Sequence, residues 1–278
     1  MTFALDALNA AEREAFVAAL AGLLAPLPAA VIDAAAAQRP FATVTALHEA
    51  LMRAAFADAP AILGVMPDLA AADLRDASPE ESGPSPEQAA ALARGVAAHR
   101  ERFGLPFVLA ATRHDPASAL ARLTARLADD PAAGQAAALV EIGHLLRQRL
   151  AASVDGPGLP GVNGRLSTHV LDTHGGRPAA GVALRLYALG AGRRLVTATT
   201  TNRDGRTDAP LLSGAPLRAG RYEIEFDLGP YFRDRVPETV GNLFLETVPL
   251  RFGIDEPEGH YHVALIATPW SYTCYRGS

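Results

Sequence analysis

The chain has 278 residues, 49% of them hydrophobic and 20% charged, and a formal net charge of -5. This length suits two domains, and this composition excludes an intrinsically disordered chain. The acidic balance argues against a nucleic-acid partner, and no apolar run approaches the length of a membrane helix. All 25 basic residues are Arg, which excludes P-loop and Schiff-base lysines, and the single Cys excludes an internal disulfide. Acids near the start, where a signal peptide needs basic residues, predict a cytoplasmic protein.

The two halves of the chain differ in composition. Residues 1–155 carry 12 Arg and 18 acidic side chains and are rich in Ala and Leu, whereas residues 156–278 carry 13 Arg, 12 acidic side chains and all six Tyr. This change predicts helices followed by strands. Gly and Pro are dense over residues 153–164, where neither element survives. We therefore predict an all-α domain over 1–152, a flexible linker over 153–164 and a β domain over 165–278.

The N-terminal half predicts a bundle of six to eight helices. Side chains that can accept a hydrogen bond from a free backbone N–H precede the apolar periodic segments. Pro26 and Pro28 end the first long helix, and Gly104 ends a helix that begins with Pro86. The expected caps are Asn9 or Asp6, Thr43 or Thr45, Ser85, Asp115 and Asp130.

The C-terminal half alternates with a period of two. In the segment 221–227, Tyr222, Ile224 and Phe226 share one face and charged side chains share the other. Residues 202–205, NRDG, predict a turn after a strand, and segments 247–252 and 260–267 predict further strands. Short strands at this spacing predict an antiparallel β-sandwich.

Two strands each place a histidine on the face away from the core. His169 alternates with Leu166, Thr168 and Val170, and His262 alternates with apolar neighbours. Taken alone, such histidines are usually solvated surface residues. Together with His260 they could also form a three-histidine zinc site, although no HExxH or CxxC motif supports one. A Ser-His-Asp hydrolase is weaker still, because no G-x-S-x-G motif is present.

Four segments in this order resemble the 5-hydroxyisourate hydrolases, the transthyretin-related enzymes of urate breakdown: LSTHVLDT at 166–173, GRTD at 205–208, HYHV at 260–263 and YRGS at 275–278. The resemblance implies a transthyretin-like antiparallel β-sandwich, a homotetramer with the site between sandwiches, and hydrolysis of a small purine-derived substrate without a metal or other cofactor. By the same resemblance the catalytic residues are His169, His262, Arg206 and Ser278, and the substrate-binding residues are His169, Arg206 and Tyr275.

Arg206 and Cys274 could each have a purely structural role. Arg206 could simply pair with a nearby acid such as Asp208. Cys274 stands where the family usually has Thr, and we expect it to be a packed small residue. The alternative to an enzyme is a transthyretin-like module that binds a ligand without catalysis.

Short segments of the first half resemble the decarboxylases of 2-oxo-4-hydroxy-4-carboxy-5-ureidoimidazoline (OHCU): RPF at 39–41, PDL at 67–69, EQ at 87–88 and RFG at 102–104. The resemblance implies a site formed by Met66, Pro67, Glu87, Gln88 and Arg149. Met66, however, stands where the family has its catalytic His, and methionine cannot transfer a proton. We therefore predict that this half is impaired as a decarboxylase. The alternative is a bifunctional enzyme in which another group supplies the proton and S-allantoin is formed.

Overall fold

The computed structural model describes residues 2–77, 83–190, 192–236 and 243–277. The chain forms two compact units, Met1–Val162 and Asn163–Ser278. The first unit is helical and the second is a β-sandwich, which confirms the predicted multidomain α + β class. Within the described ranges, no helix is long and apolar enough to cross a membrane.

The described part of the first unit contains nine α-helices, one more than the upper prediction. Three of them have only six or seven residues, which is too short for a periodic pattern to reveal. The helices are α1 (Leu5–Ala10), α2 (Arg13–Leu24), α3 (Ala29–Ala36), α4 (Val44–Ala57), α5 (Ala59–Val65), α6 (Ala71–Asp76), α7 (Pro86–Phe103), α8 (Pro116–Ala128) and α9 (Pro131–Ser153).

Most predicted helix caps are confirmed. The side chains of Thr43, Ser85, Asp115 and Asp130 each accept a hydrogen bond from a backbone N–H in the first turn of α4, α7, α8 and α9. Gly104 ends α7 with a φ of 66°, a backbone conformation that glycine adopts without strain. Each of these helices therefore begins or ends where local chemistry alone places the boundary.

The predicted cap at Asn9 is wrong. Asn9 lies inside α1, and α2 begins after Glu12 without a side-chain cap. The Asn9 amide instead donates to the carbonyl of Phe41 at 2.9 Å and accepts from the Phe41 N–H at 2.8 Å. This paired hydrogen bond joins segments 32 residues apart, so local sequence could not predict it.

The first half of the predicted linker over 153–164 forms backbone hydrogen bonds with its own unit. Short strands β1 (Phe3–Ala4) and β2 (Val154–Asp155) pair in parallel, so the first unit is not purely helical. The carbonyls of Pro157 and Gly158 accept hydrogen bonds from the first N–H groups of α4, at Val44 and Thr45. Free N–H groups at a helix start need such acceptors, which explains why this segment packs against its own unit.

The second unit is a sandwich of two four-stranded sheets. Its strands are β3 (Arg165–Asp172), β4 (Arg177–Pro178), β5 (Ala183–Ala188), β6 (Arg194–Thr200), β7 (Gly220–Asp227), β8 (Thr247–Ile254), β9 (His260–Ala267) and β10 (Tyr272–Gly277), with a short helix, α10 (Leu228–Arg233), after β7. One sheet has the order β10-β9-β3-β4 and the other β6-β5-β7-β8. Most pairs are antiparallel as predicted, but β3 and β9 are parallel.

Alternation holds along β7 from Tyr222 to Asp227, with one exception. Tyr222, Ile224 and Phe226 are buried in the core between the sheets. Glu223, predicted to face solvent, is only 2% exposed. Arg193 and Arg251 each donate to one of its carboxylate oxygens, at 2.8 and 2.7 Å. The two guanidinium groups cover the carboxylate and lower its pKa.

Candidate functional site

The parallel pairing of β3 and β9 builds one polar sheet face. In the register of the two strands, Ser167 lies opposite His262, and His169 lies opposite Ala264. The alternate residues Leu166 and Val170 are fully buried in the sandwich core. Successive side chains of a strand point to opposite faces, so Ser167, His169 and His262 lie together on the face away from the core.

The two predicted histidines are close, and each has a defined environment. Their ring centroids are 6.4 Å apart. His262 Nδ1 lies 2.9 Å from the Ser167 hydroxyl oxygen. The His169 ring donates to the backbone carbonyl of Asp204, and its Nε2 is buried without a hydrogen-bond partner in the described structure. A buried ring nitrogen without a partner is costly for stability alone and is typical of a site that binds something else.

A turn carries Arg206 to the same place. The Asn202 side-chain oxygen accepts from the N–H groups of Asp204 and Arg206 at 3.0 and 3.2 Å, which closes the predicted turn. Arg206 then forms an isolated antiparallel bridge with His169. Asp208, the expected alternative partner, is hydrogen-bonded by the Asn202 amide at 2.9 Å. No ion pair to Arg206 occurs within the described ranges, so its guanidinium is available to a ligand.

A small cleft of about 210 Å³ opens between these elements. Its walls come from β3, β9 and the segment after the turn. The residues that line it are Arg165, Ser167, Thr168, Arg206, Thr207, Asp208, Ala209, Pro210, His260 and His262. The cleft therefore combines positive charge, imidazole nitrogens and a hydroxyl in a volume suited to a small polar molecule.

The site favours neutral imidazoles. Burial lowers the pKa of His169, and the nearby Arg206 guanidinium lowers it further. Burial also lowers the pKa of His262, with additional contributions from Arg206, His169, His260 and Arg165. A neutral imidazole can accept a proton near pH 7, whereas an imidazolium cannot.

Two glycines permit the close approach of these side chains. A Cβ on Gly205 would come closer than 3.0 Å to the Val170 carbonyl oxygen and within 3.2 Å of the His169 ring, and the φ of this glycine is 70°. A Cβ on Gly277 would lie 2.7 Å from His262 Cδ2. Larger residues at either position would displace a histidine or its strand.

The last strand contributes Tyr275. Tyr275 of β10 lies opposite Ala264 of β9, which lies opposite His169 of β3, so Tyr275 shares the sheet face of the histidines. Its side chain is 52% exposed. Ser278 lies outside the described residues. Cys274 was expected to be packed, but it is exposed, because the edge strand β10 covers little of the core.

The hypothesis of a zinc site finds no geometric support. Within the ranges that the structure describes, no three His, Cys, Asp or Glu side chains are arranged to hold a metal ion. His260 Nε2 and His262 Nδ1 both face the hydroxyl of Ser167, at 3.3 and 2.9 Å.

The residues of the decarboxylase-like site have structural partners of their own. Met66 follows α5, is partly buried and packs against the apolar core of its unit. Gln88 accepts from the Ser85 N–H at 3.0 Å and completes the cap of α7. Arg149 donates to the carbonyl of Ala25, and Glu87 is exposed. In the described structure no hydrogen bond or ion pair joins Met66, Glu87 and Arg149 to one another.

The PDL segment at 67–69 has a structural role as well. The Asp68 carboxylate accepts from the Phe107 N–H and from Arg100, both at 2.8 Å. Leu69 donates its own N–H to the Phe107 carbonyl at 2.9 Å. Asp68 therefore fastens this segment to the chain after α7, whatever Met66 does.

Comparison with known proteins assigns both units. The profile described as "HIUase/Transthyretin family" matches residues 166–277, and the profile described as "OHCU decarboxylase" matches residues 9–151. The second unit is 50% identical over 117 residues to "5-hydroxyisourate hydrolase 2" of Rhizobium meliloti, which covers 42% of this chain and 98% of that protein. The chain belongs to both families.

Other similar proteins extend this result. "5-hydroxyisourate hydrolase" of Deinococcus radiodurans is 50% identical over 114 residues, covering 41% of this chain and 95% of that protein. A structure titled "Crystal structure of (S)-allantoin synthase" is 30% identical, covers 99% of this chain and 100% of that one, and superposes with a TM-score of 0.56. The fusion of an OHCU decarboxylase unit to a hydroxyisourate hydrolase unit thus has a solved counterpart of the same extent.

Two features of the structure were not predicted from the amino-acid sequence. Ser167 had no assigned role, because its contacts come from a strand 95 residues away. A cleft of about 700 Å³ in the OHCU decarboxylase unit includes His48, Arg53 and Arg147 in its lining. His48 is buried and donates from Nε2 to the Gly143 carbonyl at 2.9 Å, across the packed helices α4 and α9. Neither arrangement has a sequence signature, because both depend on pairing between distant elements.

The close approach at Gly205 can be tested against a matched glycine. Gly176 also has a positive φ, 64°, but a Cβ there would meet nothing within 4 Å. Gly176→Ala should cost only the backbone strain of about 1–2 kcal/mol. Gly205→Ala should cost about 1–3 kcal/mol more, because Val170 and His169 must move. Urea unfolding of the full chain measures both values, and equal losses would contradict the close approach.

Proposed function

We propose that the second unit hydrolyses 5-hydroxyisourate to OHCU. The observation that carries the proposal is that His169, His262 and Arg206 lie together at one sheet face, where His262 and Arg206 line the cleft and both imidazoles are favoured in the neutral form. The 50% identity to named 5-hydroxyisourate hydrolases supports the choice of substrate. No metal or other cofactor is part of the proposal.

The geometry suits the hydrolysis of a cyclic amide. A neutral imidazole takes a proton from water, and the resulting hydroxide adds to the amide carbonyl carbon. Arg206 stabilises the oxyanion of the tetrahedral intermediate through a charge-assisted hydrogen bond. When the C–N bond breaks, the imidazolium returns its proton to the leaving nitrogen, and the carboxylic acid that forms releases its proton to solvent.

We propose a role for each residue of the site. His169, His262 and Arg206 act on the reacting atoms, and His169 and Arg206 also hold the substrate. Tyr275 binds a polar edge of the purine-derived ring, since it shares the sheet face of the histidines. Ser278, by its place in the family motif, completes the site.

We also propose that the protein is a homo-oligomer, a tetramer built through the β-sandwich. In the described structure β10 is paired on one side only. Trp270, Tyr272 and Tyr275 on and beside this edge are 54%, 45% and 52% exposed. An unpaired edge strand with exposed aromatic side chains is typical of a surface that another chain covers. Sedimentation equilibrium measures the mass of the assembly directly.

Substitution of the site histidines tests the hydrolase. His262→Ala and His169→Ala should each lower hydroxyisourate turnover by roughly a hundredfold or more, the range for loss of a general base. Arg206→Ala should also lower turnover. His174→Ala, an exposed histidine of the same unit outside the cleft, should leave turnover unchanged. Exhaustive chelation should leave the wild type fully active.

Three outcomes would contradict this proposal. Wild-type turnover in a folded His262→Ala protein would remove the assigned role. Loss of activity on chelation, with recovery on adding zinc, would favour a metal site. A wild-type chain without any hydroxyisourate turnover would favour a binding module.

A second activity, decarboxylation of OHCU to S-allantoin, has a specific observation in its favour. The OHCU decarboxylase profile and the (S)-allantoin synthase structure both cover the first unit. Met66 opposes it. The carbon that loses the carboxylate must be protonated on one face, and the Met66 thioether packs against the core and carries no transferable proton. We therefore propose that this unit does not accelerate decarboxylation.

The chirality of the allantoin product distinguishes a first unit that decarboxylates OHCU from one that does not. Hydroxyisourate supplied to the wild type should give OHCU, which then decays at its spontaneous rate to racemic allantoin without a circular dichroism signal. Met66→His should restore some S-allantoin if only the proton donor is missing. Optically active allantoin from the wild type would contradict this prediction and show that another group supplies the proton.

A further inference from the structure

The hydroxyl of Ser167 lies between two imidazole rings. Its oxygen is 2.9 Å from His262 Nδ1 and 3.3 Å from His260 Nε2. The register of β3 and β9 makes this arrangement, because Ser167 lies directly opposite His262, and His260 is the next residue on the same face. Ser167 and His262 are partly buried, and His260 is exposed.

The chemistry of a hydroxyl limits the possible hydrogen-bond patterns. A serine hydroxyl donates one proton and can accept others, and a neutral imidazole has one donor and one acceptor nitrogen. In one pattern, His262 Nδ1–H donates to Ser167, and Ser167 donates to His260 Nε2. In the other, His260 Nε2–H donates to Ser167, and Ser167 donates to His262 Nδ1. When the Ser167 hydroxyl proton lies between the two rings, as in both patterns, the serine couples their tautomers.

Each pattern gives His262 a different role in the cleft. The first leaves a lone pair on His262 Nε2, as a general base requires. The second leaves a proton on Nε2, as a general acid requires. In Ser-His-Asp hydrolases the orienting group behind the catalytic histidine is a carboxylate. Behind His262 Nδ1, the hydrogen-bonded group in the described structure is Ser167.

We propose that Ser167 is the positioning residue of His262 and that it joins His262 to His260 as a proton relay. The inference rests on the proposed hydrolase function and extends it. The role of His260 here differs from that of His169, whose ring is held by the backbone carbonyl of Asp204.

The relay is balanced in protons. His262 Nε2 takes a proton from water and becomes an imidazolium. Its Nδ1 proton passes to the Ser167 oxygen, while the Ser167 hydroxyl proton passes to His260 Nε2. The positive charge is then on His260, the more exposed ring, and the reverse sequence returns the proton to the leaving nitrogen.

The electrostatic surroundings disfavour a positive charge on His262. The groups that face or line the site are Arg165, His169, Arg206, Asp208 and His260. Both arginines and both neighbouring histidines lower the pKa of His262, so an imidazolium there is disfavoured. Passing the charge to His260 places it on a solvent-exposed ring, farther along β9 from the position opposite His169, although Arg165 lies opposite His260 on β3.

A pair of isosteric variants isolates the hydroxyl. Ser167→Thr keeps a hydroxyl, whereas Ser167→Val has the same branched shape without one, and both residues suit a strand. Turnover number for hydroxyisourate should fall about tenfold or more in Ser167→Val, with little change in KM, because positioning of the base is lost. Ser167→Thr should remain within about threefold of the wild type. Equal activity of the two variants would overturn the proposal.

Nitrogen-15 spectra of histidine-labelled full-length protein supply a readout independent of activity. His262 should show one dominant tautomer in the wild type and in Ser167→Thr, and a mixture in Ser167→Val. An unchanged His262 tautomer in Ser167→Val would overturn the positioning role. If the wild type did not turn over hydroxyisourate, the proposed function would fail, and these spectra would still test the contact.

Discussion

The site depends on the parallel register between β3 and β9. This register places Ser167 opposite His262 and His169 beside them, with Leu166 and Val170 buried behind. Side chains alternate along a strand, so a shift of one residue would turn every one of these groups to the other face. The buried residues therefore determine which face carries the polar side chains, because burial of the apolar side chains leaves the polar ones on the opposite face.

The charge of Arg206 also shapes the site that the strand register assembles. Arg206 is held beside His169 by the Asn202 turn, and burial together with this positive charge favours neutral imidazoles. The same guanidinium is free to face an oxyanion. In the first unit, by contrast, Asp68 and Gln88 serve structural hydrogen bonds, and Met66 joins the core. That unit belongs to the OHCU decarboxylase family and has Met66 at the position where the family resemblance implies a catalytic His.

Sequence predicted the features that are encoded locally. The caps Thr43, Ser85, Asp115 and Asp130 could be read from single segments, and alternation placed the histidines on the outer face. Features that join distant segments could not be read in this way. Four such features are visible only in the folded chain. They are the paired hydrogen bond between Asn9 and Phe41, the packing of residues 157–158 against α4, the parallel pairing of β3 with β9, and the hydrogen bonds from two arginines to Glu223. The catalytic assignments came from family motifs and remain proposals.

In the proposed function, neutral histidines on this sheet face hydrolyse 5-hydroxyisourate, and the pH dependence of kcat/KM of the wild type tests this role most directly. Both histidines have a pKa below the ordinary value of 6.5, so each stays neutral to lower pH than a solvated histidine. Activity should therefore reach a plateau by about pH 8 and fall to half of that plateau only below pH 6.5, as the pH drops through the lowered values. A fall that is half complete above pH 6.5, or a rate that rises as the pH falls, would contradict the account.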